Sequence, residues 1–276
     1  MTHTRLHRSL FLLLPFIMLM GFSGCEIEDI LPWKNDNGNG DDNGNGHAVL
    51  TDQDGNEYNT TEIGDQLWMA ENLRTTAYRD GTPIEYMPEE EDWKDATSGA
   101  YSIYAHQPRQ WGDHIEEIGS EEEMVAAYGK LYNGFTVDDP RGLCPQGWRL
   151  PTAKDFEELI TFIEDEPYTA TTGNALKSKR QVDHPDQDYA TETHPRWDAH
   201  NENRGTDEFG FSALPAGRRG NLGSYTNAGE RTYFWTSTDD GNIGVYQYSV
   251  GLSFGHVVSQ SSSRIMGYSV RCIKKD

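Results

Sequence analysis

Two different spacings of apolar residues run through this chain, one helical and one strand-like. Between Pro151 and Glu164, Phe156, Leu159, Ile160 and Ile163 recur at i, i+3, i+4 and i+7, with Lys154, Glu157, Glu158, Thr161 and Glu164 between them. That period predicts an amphipathic helix laid against a sheet. Thr152 is placed to cap it, Asp155 can return the hydrogen bond from the third helical position, and Pro151 keeps the preceding chain extended. A second cap, Ser120 followed by Glu123, predicts a short helix through Met124 to Tyr128.

The other spacing is short and β-branched or aromatic. Tyr233–Ser237, Val245–Val250, Phe254–Val258 and Tyr268–Ile273 read as strands, separated by turns such as Asp239-Asp240-Gly241-Asn242. At the front of the folded part, Asp52-Gln53-Asp54-Gly55-Asn56 and Gly64-Asp65 divide a meander in which Tyr58 and Trp68 should be core residues. From Thr75 to Gly119 the chain is polar and aromatic, which predicts long loops around one short strand at Gly99–Tyr104.

Composition sharpens this picture. Across 276 residues there are 45 Asp and Glu against 23 Lys and Arg, a formal charge of −22, which argues against a nucleic-acid partner. With 7 Trp and 14 Tyr but few aliphatic residues, the core has to be filled by rings.

The N-terminal stretch sets Arg5, His7 and Arg8 ahead of the apolar run Leu10–Phe22, the layout of a secretory signal and short for a membrane span. Its ending, Phe22-Ser23-Gly24-Cys25, resembles the lipobox of bacterial lipoproteins, which implies removal of residues 1–24 and lipidation of Cys25. Without that resemblance it is an ordinary signal peptide with an incidental cysteine. Removal of Met1–Gly24 takes away two arginines and no acid, leaving −24 from −22, so lipid and not charge would hold the protein at an anionic membrane. Glu26-Ile27-Glu28-Asp29 is similar to the surface-export signal of lipoproteins in the Bacteroides and Fibrobacter lineages, which implies an outer-membrane lipoprotein facing the cell exterior. Residues 25–46 then form the anchor and a linker whose Asn, Asp and Gly have nothing to bury.

Residues 47–276 form one domain. Asp54-Gly55-Asn56-x-Tyr58, Trp68-Met69-Ala70-Glu71-Asn72-Leu73, Tyr128-Gly129-Lys130-Leu131-Tyr132-Asn133 and Leu143-Cys144-Pro145-x-Gly147-Trp148 stand in order along it. Gly210-Phe211-Ser212-Ala213-Leu214-Pro215-Ala216-Gly217-x-Arg219, Phe234-Trp235-Thr236-Ser237-Thr238 and Gly267-Tyr268-Ser269-Val270-Arg271-Cys272 follow. These blocks resemble the Fibrobacter succinogenes major paralogous domain family, for which no biochemical activity is established. Arg149-Leu150-Pro151-Thr152-x-x-x-Phe156 also resembles a strand-to-helix junction of formylglycine-generating-enzyme-like and C-type-lectin-like domains. The fold this implies is α+β: C-type-lectin-like irregular antiparallel sheets with one main helix and long loops.

With Cys25 taken by lipid, Cys144 and Cys272 are the two cysteines left in an oxidising compartment, and they should pair. Enzymes of the related fold use free active-site cysteines, and none is then spare. The stretch Cys144–Thr152 is a brace, with Trp148 a core ring beside Trp68 and Trp235.

Candidate chemistry lies in the loops. Asp183, His184, Asp186, Asp188, His194, Asp198, His200 and Asp207 crowd the region around Trp197. No spacing among them forces convergence, so a solvated loop is the first expectation and no cofactor is implied. A bound cation would be calcium held by carboxylates, with Asp183, His184, Asp186 and Asp188 as the ligands. Trp93, Trp111, Trp197, Tyr225 and Tyr233, with Arg218, are the candidates for contact with a glycan, each ring having core packing as its alternative. The leading functional expectation is therefore a non-catalytic surface lipoprotein that binds extracellular glycan or another polymer, or a surface protein. A structural, fimbria-like assembly component stands second. A hydrolase stands last, because no His-Glu-x-x-His occurs and Ser212 sits in Phe-Ser-Ala, lacking the second glycine.

Overall fold

The computed structural model describes residues 50–105, 115, 117–166, 170–242 and 244–274. The signal segment, Cys25, the linker and Trp111 lie outside the described residues, as does most of 106–116. In chain order the strands and helices begin with β1 (Leu50–Thr51), β2 (Glu57–Tyr58), β3 (Thr60–Ile63), β4 (Gln66–Met69), β5 (Glu85–Tyr86), α1 (Glu90–Lys94), β6 (Ala100–Ser102) and α2 (Glu121–Tyr128). They continue with β7 (Leu131–Asn133), α3 (Gly134–Val137), β8 (Trp148–Arg149), α4 (Ala153–Asp165), α5 (Thr172–Leu176), β9 (Ala216–Arg219) and β10 (Tyr225–Ala228). The last are β11 (Arg231–Asp239), β12 (Gly244–Gly251), β13 (Phe254–Ser263), β14 (Gly267–Tyr268) and β15 (Ile273–Lys274). All the described residues fall in one compact unit, and the fold is α+β.

The first turn closes on a single side chain. Asp52 Oδ1 accepts the N–H groups of Asp54 and Asn56 at 2.9 and 3.0 Å, and Oδ2 accepts the Tyr58 hydroxyl. Gly55 takes φ 83° there, a conformation open to glycine at no steric cost. β3 and β4 then join a small sheet in the order β3-β4-β15-β8, which brings the two ends of the domain side by side.

Helix α4 lies on this sheet and on the back of the large one. The capping box is complete: Asp155 N–H donates to Thr152 Oγ1, and Thr152 N–H donates to Asp155 Oδ2. Arg149 grips the same carboxylate with two nitrogens, at 2.6 and 2.9 Å. Phe156, Leu159 and Ile163 are buried, and Phe156 stacks on Tyr248 at 4.4 Å and meets Trp68 at 5.0 Å. Burying a large apolar side chain of this kind stabilises by ~1.5–3 kcal/mol. Cys144 and Cys272 are bonded, with their Cα atoms 5.9 Å apart.

The large sheet runs β13-β12-β11-β9-β14-β7-β6-β5, with β10 on β9. Most pairs are antiparallel, but β9 with β11 and β5 with β6 are parallel. Alternation along β11 sorts its side chains. Thr232, Phe234 and Thr236 take one face, where Phe234 joins the cluster under α4; Arg231, Tyr233 and Trp235 take the other.

Three features differ from the sequence expectation. The segment read as loop between Thr75 and Gly119 also carries β5 and α1, because Trp93 has a buried site to fill and a single helical turn delivers it. Two more short helices, α3 and α5, stand where no periodic pattern is long enough to announce them. Ser120 caps α2 as expected, but the Glu123 carboxylate accepts from Gly119 N–H, one residue further back than a capping box requires.

Candidate functional site

Four of the five rings expected to meet a ligand are buried. Trp93 and Trp197 are wholly covered, and Tyr225 and Tyr233 are each 4% exposed. None presents a free face for a sugar, which corrects that expectation; in a chain poor in aliphatics such rings are the filler of the interior. Cations occupy their π faces. The Arg219 guanidinium lies 4.4 Å from the Trp93 ring centre and 4.8 Å from that of Tyr225, and it donates to the carbonyls of Gly223, Met87 and Pro88. Trp197 donates its indole N–H to Ala213 O, with Lys177 Nζ 5.5 Å from its ring.

The acidic and histidine-rich loop disperses. Asp183, at φ 55°, opens a local turn in which Asp186 N–H donates to His184 Nδ1 and Asp188 N–H to Asp186 Oδ1. His200 accepts from its own neighbours, Glu202 and Asn203. Asp198 pairs with Arg196 at 2.6 Å, and Asp207 accepts both the N–H and the hydroxyl of Ser212. Burial pushes His194 down to about 4, so it is neutral where it meets the Tyr128 hydroxyl. Among the described residues no three His, Cys, Asp or Glu side chains come together as a cation site.

A shallow cleft of about 310 Å³ lies where α4 starts, lined by Asp65, Gln66, Arg149, Asp155, Glu158 and Lys274 among others. Its polar groups largely answer one another. Arg149 holds Asp155, and Gln66 Nε2 donates to Asp155 O and Glu158 Oε2. Burial works against the Asp155 charge, but the Arg149 and Thr152 hydrogen bonds outweigh it and leave the carboxyl below its ordinary value.

Two of the sequence candidates do meet, on the face of β9, β11, β12 and β13 that carries Tyr233 and Trp235. Arg218 and Arg219 are adjacent on a strand and therefore point to opposite sides; Arg219 goes inward to Trp93, while Arg218 stays half-buried over Tyr233 at 5.3 Å. Arg231 lies over the same ring at 5.2 Å and over Phe254 at 4.4 Å. Tyr233 donates its hydroxyl to Asn227 Oδ1 and stacks on Tyr268 at 5.0 Å. Burial pushes the Tyr268 phenol up, and hydrogen bonding from Ser262 and the nearby Arg218 charge pull it part of the way back.

Register extends the face sideways. Tyr233 stands opposite Ser249 and Trp235 opposite Gln247, and these are followed on β13 by Val258 and Gln260. Gln247 and Ser249 are 1% exposed, whereas His256, Val258 and Gln260 form an open rim. Gln247 Oε1 and Arg231 Nε are buried without a hydrogen-bond partner. Sequence reasoning missed Gln247 and Ser249. Their signal was present in the alternation Val245, Gln247, Ser249, where polar groups fall on a buried side of an otherwise apolar strand.

The described arginines fall into those that hold a carboxylate and those that do not. Arg141, Arg149, Arg196 and Arg264 each hold a carboxylate. Among the described residues Arg218 and Arg231 hold none, as is also true of Arg74, Arg79, Arg180 and Arg271; Arg218 donates from Nε to Thr226 Oγ1 and hydrogen-bonds Tyr268.

Residues 61–274 match the model of the Fibrobacter succinogenes major domain. The chain belongs to this family. No curated protein and no solved structure matches it. The span shared with the Fibrobacter succinogenes major domain takes in the whole Arg218–Tyr233–Arg231 face and both cysteines of the brace, and begins after β1 and β2.

Proposed function

We propose that this protein is a non-catalytic cell-surface lipoprotein that binds an extracellular glycan on the face formed by β9, β11, β12 and β13. The supporting observation is the strip beside Tyr233, where Ser249 and the unpartnered Gln247 Oε1 lie between two guanidiniums and an open rim. Sugar hydroxyls donate and accept in equal measure, and they suit a strip of amide, hydroxyl and guanidinium groups behind an exposed rim. Half-buried Phe254 and exposed Val258 supply apolar contact for sugar C–H groups.

The anchor at Cys25 and the Asn/Gly tether would hold this face away from the outer membrane. Absence of a catalytic role is supported by the tying of Cys144 to Cys272 and by the Ser212 hydroxyl, which is spent on Asp207. A glycan array, with pull-down on plant and host polysaccharides, tests the reading. Retention that is lost in Gln247→Leu supports it, and no retention by folded protein at high concentration overturns it. Protease shaving of intact cells tests the location, and a protected domain would overturn surface exposure.

One observation favours the second reading, a surface assembly component. β13 is an edge strand of 10 residues with no lysine, acid or proline; α5 covers its start, where Val257 N–H donates to Thr172 Oγ1, and the stretch from Val258 onward carries no such guard residue against another strand. Light scattering and crosslinking on cells that find a stable assembly, together with a silent glycan array, would favour this role.

A further inference from the structure

We infer that the ligand of this face is a carboxylate-bearing glycan, a polyuronate, whose acid group seats between Arg218 and Arg231; this rests on the glycan reading above. Arg79, Arg180 and Arg271 spend their guanidiniums on backbone carbonyls, whereas the half-buried guanidiniums of Arg218 and Arg231 meet neither carboxylate nor carbonyl among the described residues. These two converge on one ring, 5.3 and 5.2 Å from the centre of Tyr233. A guanidinium taken partly out of water is costly unless it is paired, and its planar fork matches a carboxylate with two parallel hydrogen bonds. Arg231 Nε is already buried without an acceptor, so the site lacks an anion and not a cation.

The neighbouring groups narrow the class of anion. Gln247 Oε1 is a buried acceptor that needs a donor, which a bare sulfate does not provide and a sugar hydroxyl does. From Arg231 to Trp235, opposite Gln247, is four residues along β11, roughly 13 Å at ~3.3 Å per residue, so acid and hydroxyl groups on successive sugar rings can be met together. The surrounding negative charge would repel a polyanion lacking a specific seat, so selection falls on this pair of arginines.

Binding to polygalacturonate, its methyl ester, a neutral glucan, dextran sulfate and polyglutamate, measured by calorimetry with the whole mature chain, tests this. Polygalacturonate should bind, its methyl ester should not, and added salt should weaken the complex. Arg218→Gln and Arg231→Gln should each weaken it about tenfold or more, with Arg231→Lys in between and thermal melting confirming that each variant folds. Equal binding of the ester or the neutral glucan, unchanged in the arginine variants, would overturn the acidic ligand and leave the glycan reading standing. Equal binding of dextran sulfate or polyglutamate would overturn the polyuronate. Silence towards every polysaccharide, from folded protein, would overturn the glycan reading itself.

Discussion

The guanidinium of Arg219 lies 4.4 Å from the ring centre of Trp93, 126 residues away in the chain, and closes the core from the side opposite to the candidate face. Its neighbour Arg218 has the same side chain and the other fate. One strand thus supplies a fully buried cation to the interior and a half-buried one to its other face.

Removing either half of the inner pair should be severe. Trp93→Ala should cost ~3–5 kcal/mol for lost burial and cavity, and Arg219→Ala a similar amount because the carbonyls of Met87 and Pro88 lose their donor. Arg218→Ala should cost less than ~1 kcal/mol. Urea unfolding of the three variants checks the contrast, and equal losses would contradict it.

Lys177 should give stability a pH slope on the alkaline side. Burial pushes its amine down to about 7 from 10.5, with Nζ donating to Asn203 O and Gly251 O. Between pH 7 and 10.5 the unfolded chain therefore binds a proton that the folded one lacks, so stability rises with pH across that window. Below about pH 7 both states are charged and the folded state carries the full cost, on the order of several kcal/mol. Lys177→Met should flatten the slope, measured as urea midpoints from pH 7 to 10.

The Asp155 carboxyl acts on the acid side. Its folded value lies below the ordinary one, so the stability it contributes is present above the unfolded value and lost as pH falls through the folded value. Asp155→Asn should remove that dependence, and Thr152→Ala should cost ~1 kcal/mol as a lost cap. Thermal melting of the variants between pH 2 and 6 measures both effects.

Reduction should loosen the brace. The Cys144–Cys272 bond spans 128 residues, and its loss should cost up to ~4–5 kcal/mol in the chain-entropy account. Unfolding with and without dithiothreitol, compared with Cys144→Ala/Cys272→Ala, reads this directly; reduction that leaves the midpoint unchanged would contradict it.

The legible parts of this protein were those decided within a few residues. Thr152, Asp155 and the Phe156–Ile163 stripe announce α4 because cap and period are local. The strands β11 to β13 were readable from β-branched and aromatic runs between Gly/Ser/Asn turns, and the cysteine pairing from there being so few partners. Helices α1, α3 and α5 were not, since four or five residues carry no period. For the candidate site, Arg218 and Tyr233 were visible as residue types, but their association with Arg231 and Gln247 was not.

By itself the sequence determined the main helix by short-range chemistry and the brace by counting, while the α+β class came through the family resemblance. Only the tertiary structure decided which ring is filler and which arginine is buried. Exposure depends on contacts made across the whole chain, as when Arg219 reaches Met87 and Pro88 and leaves Arg218 on the other face of the same strand.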